Sequence, residues 1–284
     1  MKNNNNKSIQ FYDKYGPYAL VAGGSDGLGA AFAYALARRG MNLVLMARER
    51  ERLENTAKEI REKYSVDVTA VVSDLADFEN AKSLLSAVLS EDQKISIGLL
   101  VYNAAFAPIS LFENTSEEHL ALAAAVNVKA PLLLSKFLSE NMIKRKRGGI
   151  ILMSSLAGAQ GSPKLAAYAA TKAFNAILAE GLWKELKPHG IDVLGCCAGA
   201  ILTPGYEQSQ FKQNADNSKS KSALKPAPGT MEAKDVAEKT LTALGRGPVV
   251  IPGAVNKIGR FVLTRILSRK AAIGIMSKNT GSLS

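Results

Sequence analysis

The chain is expected to fold as one α/β domain around a parallel sheet. Three observations predict this. Short apolar runs alternate with helical stretches from about residue 18 to residue 251. A glycine-rich turn sits between the first apolar run and the helix that follows it. With 284 residues, 47% of them hydrophobic, the chain can bury one large core.

Tyr18 to Ala22 is a short apolar run, read as a buried strand. Gly23-Gly24-Ser25-Asp26-Gly27-Leu28-Gly29 follows, then an Ala/Leu-rich helix from Ala30 to Arg39. Strand, glycine turn and helix is the context of a dinucleotide site. The glycines let the backbone turn tightly and approach a pyrophosphate, and the helix N-terminus offers N–H groups and a positive dipole end. A purely structural turn is the competing reading. A second strand runs from Asn42 to Met46. At its end, where an acidic residue would bind the ribose of NAD, stand Ala47 and Arg48. A guanidinium there favours a 2′-phosphate and hence NADP(H). Alternatively, Arg48 merely opens the surface helix from Glu49 to Lys63. Further strands read at Val66–Val72, Ile97–Tyr102, Gly149–Ser154, Ile191–Cys197 and Pro248–Ile251, and long helices at Ser116–Asn141 and Pro163–Lys187.

Tyr168 and Lys172 lie four positions apart, so a helix puts the phenol and the ammonium on one face. A free phenol titrates near ~10. A nearby cation favours phenolate, and moving the phenol to ~7 takes roughly 4 kcal/mol. Ser155, thirteen positions before Tyr168, is then placed to hydrogen-bond a substrate oxygen that Tyr168 protonates. An isolated Tyr-x-x-x-Lys is weak evidence, because an ordinary amphipathic helix yields one by chance.

Taken in order, these pieces resemble the short-chain dehydrogenase/reductase family over roughly residues 16 to 253. The resemblance implies a doubly wound (Rossmann) fold with helices on both faces. It also implies a set of site residues. Gly23, Gly27 and Gly29, with Ser25 and Leu28 between them, match the cofactor turn, although Ala22 replaces the usual Thr. Asp74-Leu75 matches the pair that meets the adenine, and Asn103-Ala104-Ala105 matches Asn-Ala-Gly with Ala in the last place. Asn127 matches the helix residue that helps hold a proton-relay water, beside Ser155, Tyr168 and Lys172. Lys172 would also bind the nicotinamide ribose. Gly199 and Thr203 fall in the Pro-Gly-x-x-x-Thr stretch, with Ala198 in place of Pro, and Thr203 would touch the nicotinamide carboxamide. Lys14 to Gly24 and Arg39 to Arg48 are similar to the hydroxysteroid dehydrogenase and long-chain 3-oxoacyl reductase branches. Ala200 to Pro204 is similar to some bacterial hydroxysteroid dehydrogenases. In the family the two long helices pack against a partner subunit, which implies a homodimer or homotetramer.

Residues 1–16 read as a polar leader without a signal peptide, and no run approaches ~18 uninterrupted apolar residues, so no spanning helix is expected. Cys196 and Cys197 are adjacent in a strand and point to opposite faces, so they cannot bridge. Two thiols without metal spacing suit a reducing cytoplasm and no metal. His119 and His189 read as surface or helix-end residues, and Trp183 as a packing residue. The net charge of +11 favours a polyanionic cofactor or an acidic substrate. Lys144-Arg145-Lys146-Arg147 reads as a solvated loop, and no accompanying motif supports nucleic-acid binding. Residues 205–231, rich in Ser, Asn, Lys and Pro, read as a substrate lid. The tail at 254–284 reads as a basic amphipathic helix, with Ile258, Val262 and Ile266 on one face. Such a helix suits a membrane surface, a partner, or a lining for its own active site.

The expected function is NADPH-dependent interconversion of a ketone and a secondary alcohol, on a large apolar substrate such as a hydroxysteroid. A 3-oxoacyl thioester reductase is the first alternative, and a non-enzymatic dinucleotide sensor or scaffold is the second. Enoyl reductases of related type space Tyr and Lys more widely.

Overall fold

The computed structural model describes residues 2–90, 95–203 and 227–280. Seven parallel strands form the central sheet: β1 (Tyr18–Ala22), β2 (Asn42–Ala47), β3 (Val68–Val72), β4 (Ile97–Tyr102), β5 (Gly148–Ser155), β6 (Ile191–Ala198) and β9 (Val249–Val250). Their order is β3-β2-β1-β4-β5-β6-β9. The chain therefore runs outward one way from β1 and resumes on its other side at β4. That reversal opens a crevice at the carboxyl ends of β1 and β4, where ligands bind in such sheets.

The alternation of side chains along each strand feeds two cores. On one face Val21, Leu43 and Leu45 pack with Phe32 and Leu36 of α2 (Gly27–Ala37), Leu53 of α3 (Arg50–Tyr64) and Val236 of α8 (Ala233–Ala243). On the other, Leu20, Val44 and Leu100 pack with Leu85 of α4 (Phe78–Val88), Leu134 of α6 (Ala130–Arg145) and Ala179 of α7 (Ala166–Leu186). The doubly wound expectation holds, and the predicted elements agree with the structure to within a few residues at their ends.

The polar leader is a helix, α1 (Lys2–Tyr15). Its last turn is anchored: Phe11 packs on Tyr15, and the Tyr15 hydroxyl donates to Asp192 at 2.5 Å. Phe11 and Tyr15 are one helical turn apart, a signal too short to outweigh the Asn run before it. The basic run at 144–147 is not simply solvated. Arg145 donates to Ser96 and the Ile97 carbonyl, and Arg147 to the Asp13 carbonyl. These arginines fasten the amino-terminal edge of the sheet.

The helix at 116–141 is α5 (Glu117–Ala124), a π turn (Ala125–Lys129) and α6 in succession. By length and composition the span Glu117–Arg145 could cross a membrane, although it contains no uninterrupted apolar run of that length. Here its inner face is part of the core, through Ala130, Leu134, Leu138 and Met142. Most of the lid stretch lies outside the described residues. Its end is ordered: Met231 and Glu232 form β8, paired with β7 (Ile201–Leu202) in a two-stranded sheet. The tail is α9 (Ala254–Phe261), a π turn (Val262–Ile266) and α10 (Arg269–Thr280). It is thus not one continuous helix.

Candidate active site

The glycine turn is fixed by contact rather than by propensity. Gly23 has φ +79°, and a Cβ there would lie 2.8 Å from the Ala104 backbone. A Cβ on Gly29 would stand 1.8 Å from the Gly23 carbonyl oxygen, so no other residue fits. Asn103, at the end of β4, donates from Nδ2 to the Gly23 carbonyl at 3.2 Å, joining two of the predicted cofactor segments. Asp26 caps α2 by accepting from the Gly27 N–H at 2.6 Å, and Arg52 pairs with its other oxygen at 3.3 Å. Neither of those two side chains was singled out from the sequence, although an Asp before a helix is a capping signal. Leu28 and Gly29 follow in the first turn of α2, the anion-binding end.

A cleft of about 320 Å³ opens beside this turn. Gly23, Ser25, Arg48, Asp74, Leu75, Asn103 and Ala104 all line it. Seven expected cofactor residues from four separate segments therefore meet in one place. The exposed Arg48 at its rim is free of a described salt bridge and is placed for an anionic group. Across the turn, the Thr203 side chain lies 3.2 Å from where a Gly27 Cβ would be, which closes the loop after β6 onto the loop after β1. A dinucleotide fits these residues: the backbone is bare where a pyrophosphate must approach, and the cleft is edged by a cation.

The catalytic candidates cluster at the end of β5 and the start of α7. The Tyr168 hydroxyl hydrogen-bonds the Ser155 side chain. Ser155 Oγ also accepts from the Ala157 N–H at 3.2 Å, which fixes its rotamer. Lys172 is 3% exposed and places Nζ 5.6 Å from the Tyr168 ring centroid. That ammonium donates to the Met153 carbonyl at 3.0 Å, while Ser154 holds the Lys172 carbonyl at 2.7 Å.

Burial pushes the Lys172 pKa down to about 8, because desolvation penalises the ammonium. Burial also raises the Tyr168 pKa, and the bond from Ser155 pulls it only partly back. The expected lowering of the phenol by Lys172 is therefore not the dominant effect here. The ammonium is drawn toward Met153, and desolvation of the phenolate outweighs it. A phenol that keeps its proton at neutral pH is a proton donor, the form that reduction of a carbonyl requires. Cys196, buried beneath this region beside Thr240, has its thiol pushed up to about 12 by burial and is chemically quiet.

Asn127 sits in the π turn with no exposed surface. Its Nδ2 donates to the Phe106 carbonyl at 2.7 Å and to Thr171 Oγ1 at 3.0 Å, and its Oδ1 accepts from the Phe106 N–H at 2.8 Å. Asn175 donates to its carbonyl at 2.9 Å. Both amide protons are committed within the protein. The residue's side chain is thus a clamp between the loop after β4 and α7, and any relay water must be met by a backbone group rather than by that amide's protons. Thr171 and Asn175 were not read from the sequence, because a residue that supports another through space leaves no spacing rule. Gly199 completes the set: a Cβ on it would come within 2.7 Å of Asn256 Oδ1, a contact also missed from the sequence.

Comparison with known proteins agrees with this architecture. The chain is 31% identical over 250 residues to the very-long-chain 3-oxoacyl-CoA reductase of Phaeosphaeria nodorum, covering 84% of this chain and 67% of that protein. It is 28% identical over 250 residues to the 7beta-hydroxysteroid dehydrogenase of Clostridium sardiniense, covering 88% and 90%. The inactive hydroxysteroid dehydrogenase-like protein 1 of Homo sapiens is 34% identical over 200 residues, covering 70% and 60%. Among solved structures, a short-chain dehydrogenase from Sphingobium yanoikuyae in complex with NADPH superposes with a TM-score of 0.72 at 29% identity, covering 83% of this chain and 87% of that one. Residues 17–214 match the short chain dehydrogenase model, and the chain belongs to that family.

Proposed function

We propose that the protein is an NADPH-dependent oxidoreductase that interconverts a ketone and a secondary alcohol on a large apolar substrate of the hydroxysteroid kind. The observation that carries this reading is the Tyr168 hydroxyl bonded to Ser155, with the buried Lys172 ammonium beneath its ring. When bound, the nicotinamide supplies hydride chemistry. The chain's own groups supply orientation and the proton. Ser155 polarises the carbonyl oxygen, and Tyr168 delivers a proton to it. Lys172 supports the phenolate that remains. Asn127 keeps α7 and the loop after β4 in register around them. Arg48 in place of an acidic ribose partner supports NADP(H) over NAD.

The relative from Clostridium sardiniense supports a hydroxysteroid. The one from Phaeosphaeria nodorum supports a second reading, a long-chain 3-oxoacyl thioester. Both are large and apolar, and burying such a face could contribute several kcal/mol at ~25 cal/mol per Å². That remote binding energy can be used to orient the carbonyl. The exposed Leu132 on α6 and Ile177 on α7 support a homo-oligomer through those helices. Two buried, reduced cysteines support a reducing, cytoplasmic setting.

NADPH oxidation measured against hydroxysteroid ketones, 3-oxoacyl thioesters and acetone-sized ketones tests the reading. Catalytic efficiency should rise steeply with substrate size. Equal efficiency on small and large ketones would remove the substrate class. NADPH binding without turnover of any ketone would favour the non-enzymatic alternative.

A further inference from the structure

We propose that α9 and the π turn after it form a docking surface for an anionic phospholipid bilayer. The inference starts from the way α9 is mounted. A surface helix normally turns its apolar stripe inward. Here the inward residue is Asn256, 6% exposed, whose Nδ2 donates to the Gly229 carbonyl at 3.0 Å and to the Pro252 carbonyl at 2.9 Å. Its side chain occupies the space above Gly199, Gly229 and Gly253 that a Cβ on any of them would contest. These contacts fix the rotation of the helix. Val255, Ile258 and Phe261, spaced three apart, then face outward at 56%, 64% and 58% exposure, and Ile266 continues them at 64%. The sequence reading that these side chains line the substrate site is thereby set aside for Ile258 and Ile266.

The charge around this stripe selects its occupant. From Ala254 to Ser277 there are five cations, Lys257, Arg260, Arg265, Arg269 and Lys270, and no Asp or Glu. None of the five has a salt bridge among the described residues. A second copy docked face to face would bring two such cationic sets together without a carboxylate between them. An anionic lipid surface offers what the patch has on both counts: hydrocarbon for the outward apolar side chains and negative headgroups for the interleaved cations. The patch adjoins the catalytic region. Arg269 donates to the Ala159 carbonyl at 2.9 Å, in the short turn that follows Ser155. A docked protein would therefore hold that region near the membrane, where an apolar substrate concentrates.

Flotation of the full-length protein with vesicles, without NADPH or ketone, tests this independently of the catalytic reading. Vesicles of phosphatidylcholine mixed with phosphatidylglycerol should carry the protein, vesicles of phosphatidylcholine alone should not, and high salt should release it. Ile258→Ser with Phe261→Ser should abolish binding. Lys257→Gln, Arg260→Gln and Arg265→Gln should each lower partitioning about fivefold, at roughly 1 kcal/mol per cation near an anionic surface. Arg260 is half-buried and the other substituted side chains are exposed, so the variants should fold, and unchanged NADPH binding would verify it. Absence of vesicle binding, equal binding to both compositions, or variants that bind like the unmutated protein would overturn the proposal. So would a dimer in lipid-free solution that Phe261→Ser dissolves, which would assign the face to a second copy.

Discussion

The two sides of the sheet meet different demands. On the β1–β3 side, the glycine turn of the proposed cofactor cleft is bare backbone: a Cβ at Gly23 or Gly29 has nowhere to go, and the other lining groups arrive from loops held by strand ends. On the β4–β6 side, the catalytic groups are side chains held by other side chains. Asn127, Thr171 and Asn175 form one bonded set, and Ser154, Lys172 and Met153 another. The first side is shaped by what is missing, the second by what is tied down. Substitutions should therefore act on binding in the first and on turnover in the second.

Tyr168→Phe should give the largest and most one-sided effect. Turnover should fall about 10³-fold, within the range for loss of a general acid, while NADPH binding changes little. Robust ketone reduction by this variant would break the distinction between the two sides. Gly29→Ala should do the reverse at about 100-fold, raising the dissociation constant for NADPH, because the glycine turn must shift to admit a Cβ. If NADPH binding survives and turnover alone fails, the cofactor has been placed wrongly.

A pH series sharpens the catalytic side. Lys172 should lose its cation above about 8, so reductive kcat/KM should decline there, about tenfold per pH unit at most. Its contribution to stability has the opposite sign. The folded pKa of about 8 lies below the unfolded value near ~10.4, so the unfolded chain binds more protons between them and stability rises with pH across that window. Cys196, pushed up to about 12, gives a falling contribution from about 8.5 upward. Urea unfolding of the protein and of Lys172→Met over the same range isolates the lysine, and the rising component should vanish in the variant.

Arg48→Asp belongs to the cofactor side and should narrow the preference for NADPH over NADH about tenfold, since a carboxylate repels a 2′-phosphate and accepts from a 2′-hydroxyl. A preference for NADH in the unmutated enzyme would overturn the reading of Arg48. Asn256→Ala should be the smallest, costing about 1 kcal/mol of stability through two lost hydrogen bonds to carbonyls that water can partly replace.

The sequence was legible where chemistry requires fixed spacing. The glycine turn and Tyr168 with Lys172 follow from local patterns, and the doubly wound fold from the family resemblance; the structure sets the turn between β1 and α2 and both side chains on α7. Three things were not legible. The net rise of the Tyr168 pKa depends on burial, which a helical spacing does not reveal. The committed side chain of Asn127 depends on Phe106 and Thr171, one about twenty positions before it and the other over forty after. The outward face of α9 depends on Asn256 meeting glycines from three loops. In the tail the apolar periodicity was visible, but periodicity gives a face and not the direction it points.

Tyr168 is proposed to protonate a carbonyl to which hydride is delivered from NADPH. The most direct test of this role is a single-turnover reaction with NADPH deuterated at the transferable nicotinamide position and a hydroxysteroid ketone, run with the unmutated protein and with Tyr168→Phe. The unmutated protein should place deuterium on the new carbinol carbon, and Tyr168→Phe should do so about 10³-fold more slowly, at equal cofactor occupancy. Deuterium transfer at the same rate in both proteins would contradict it.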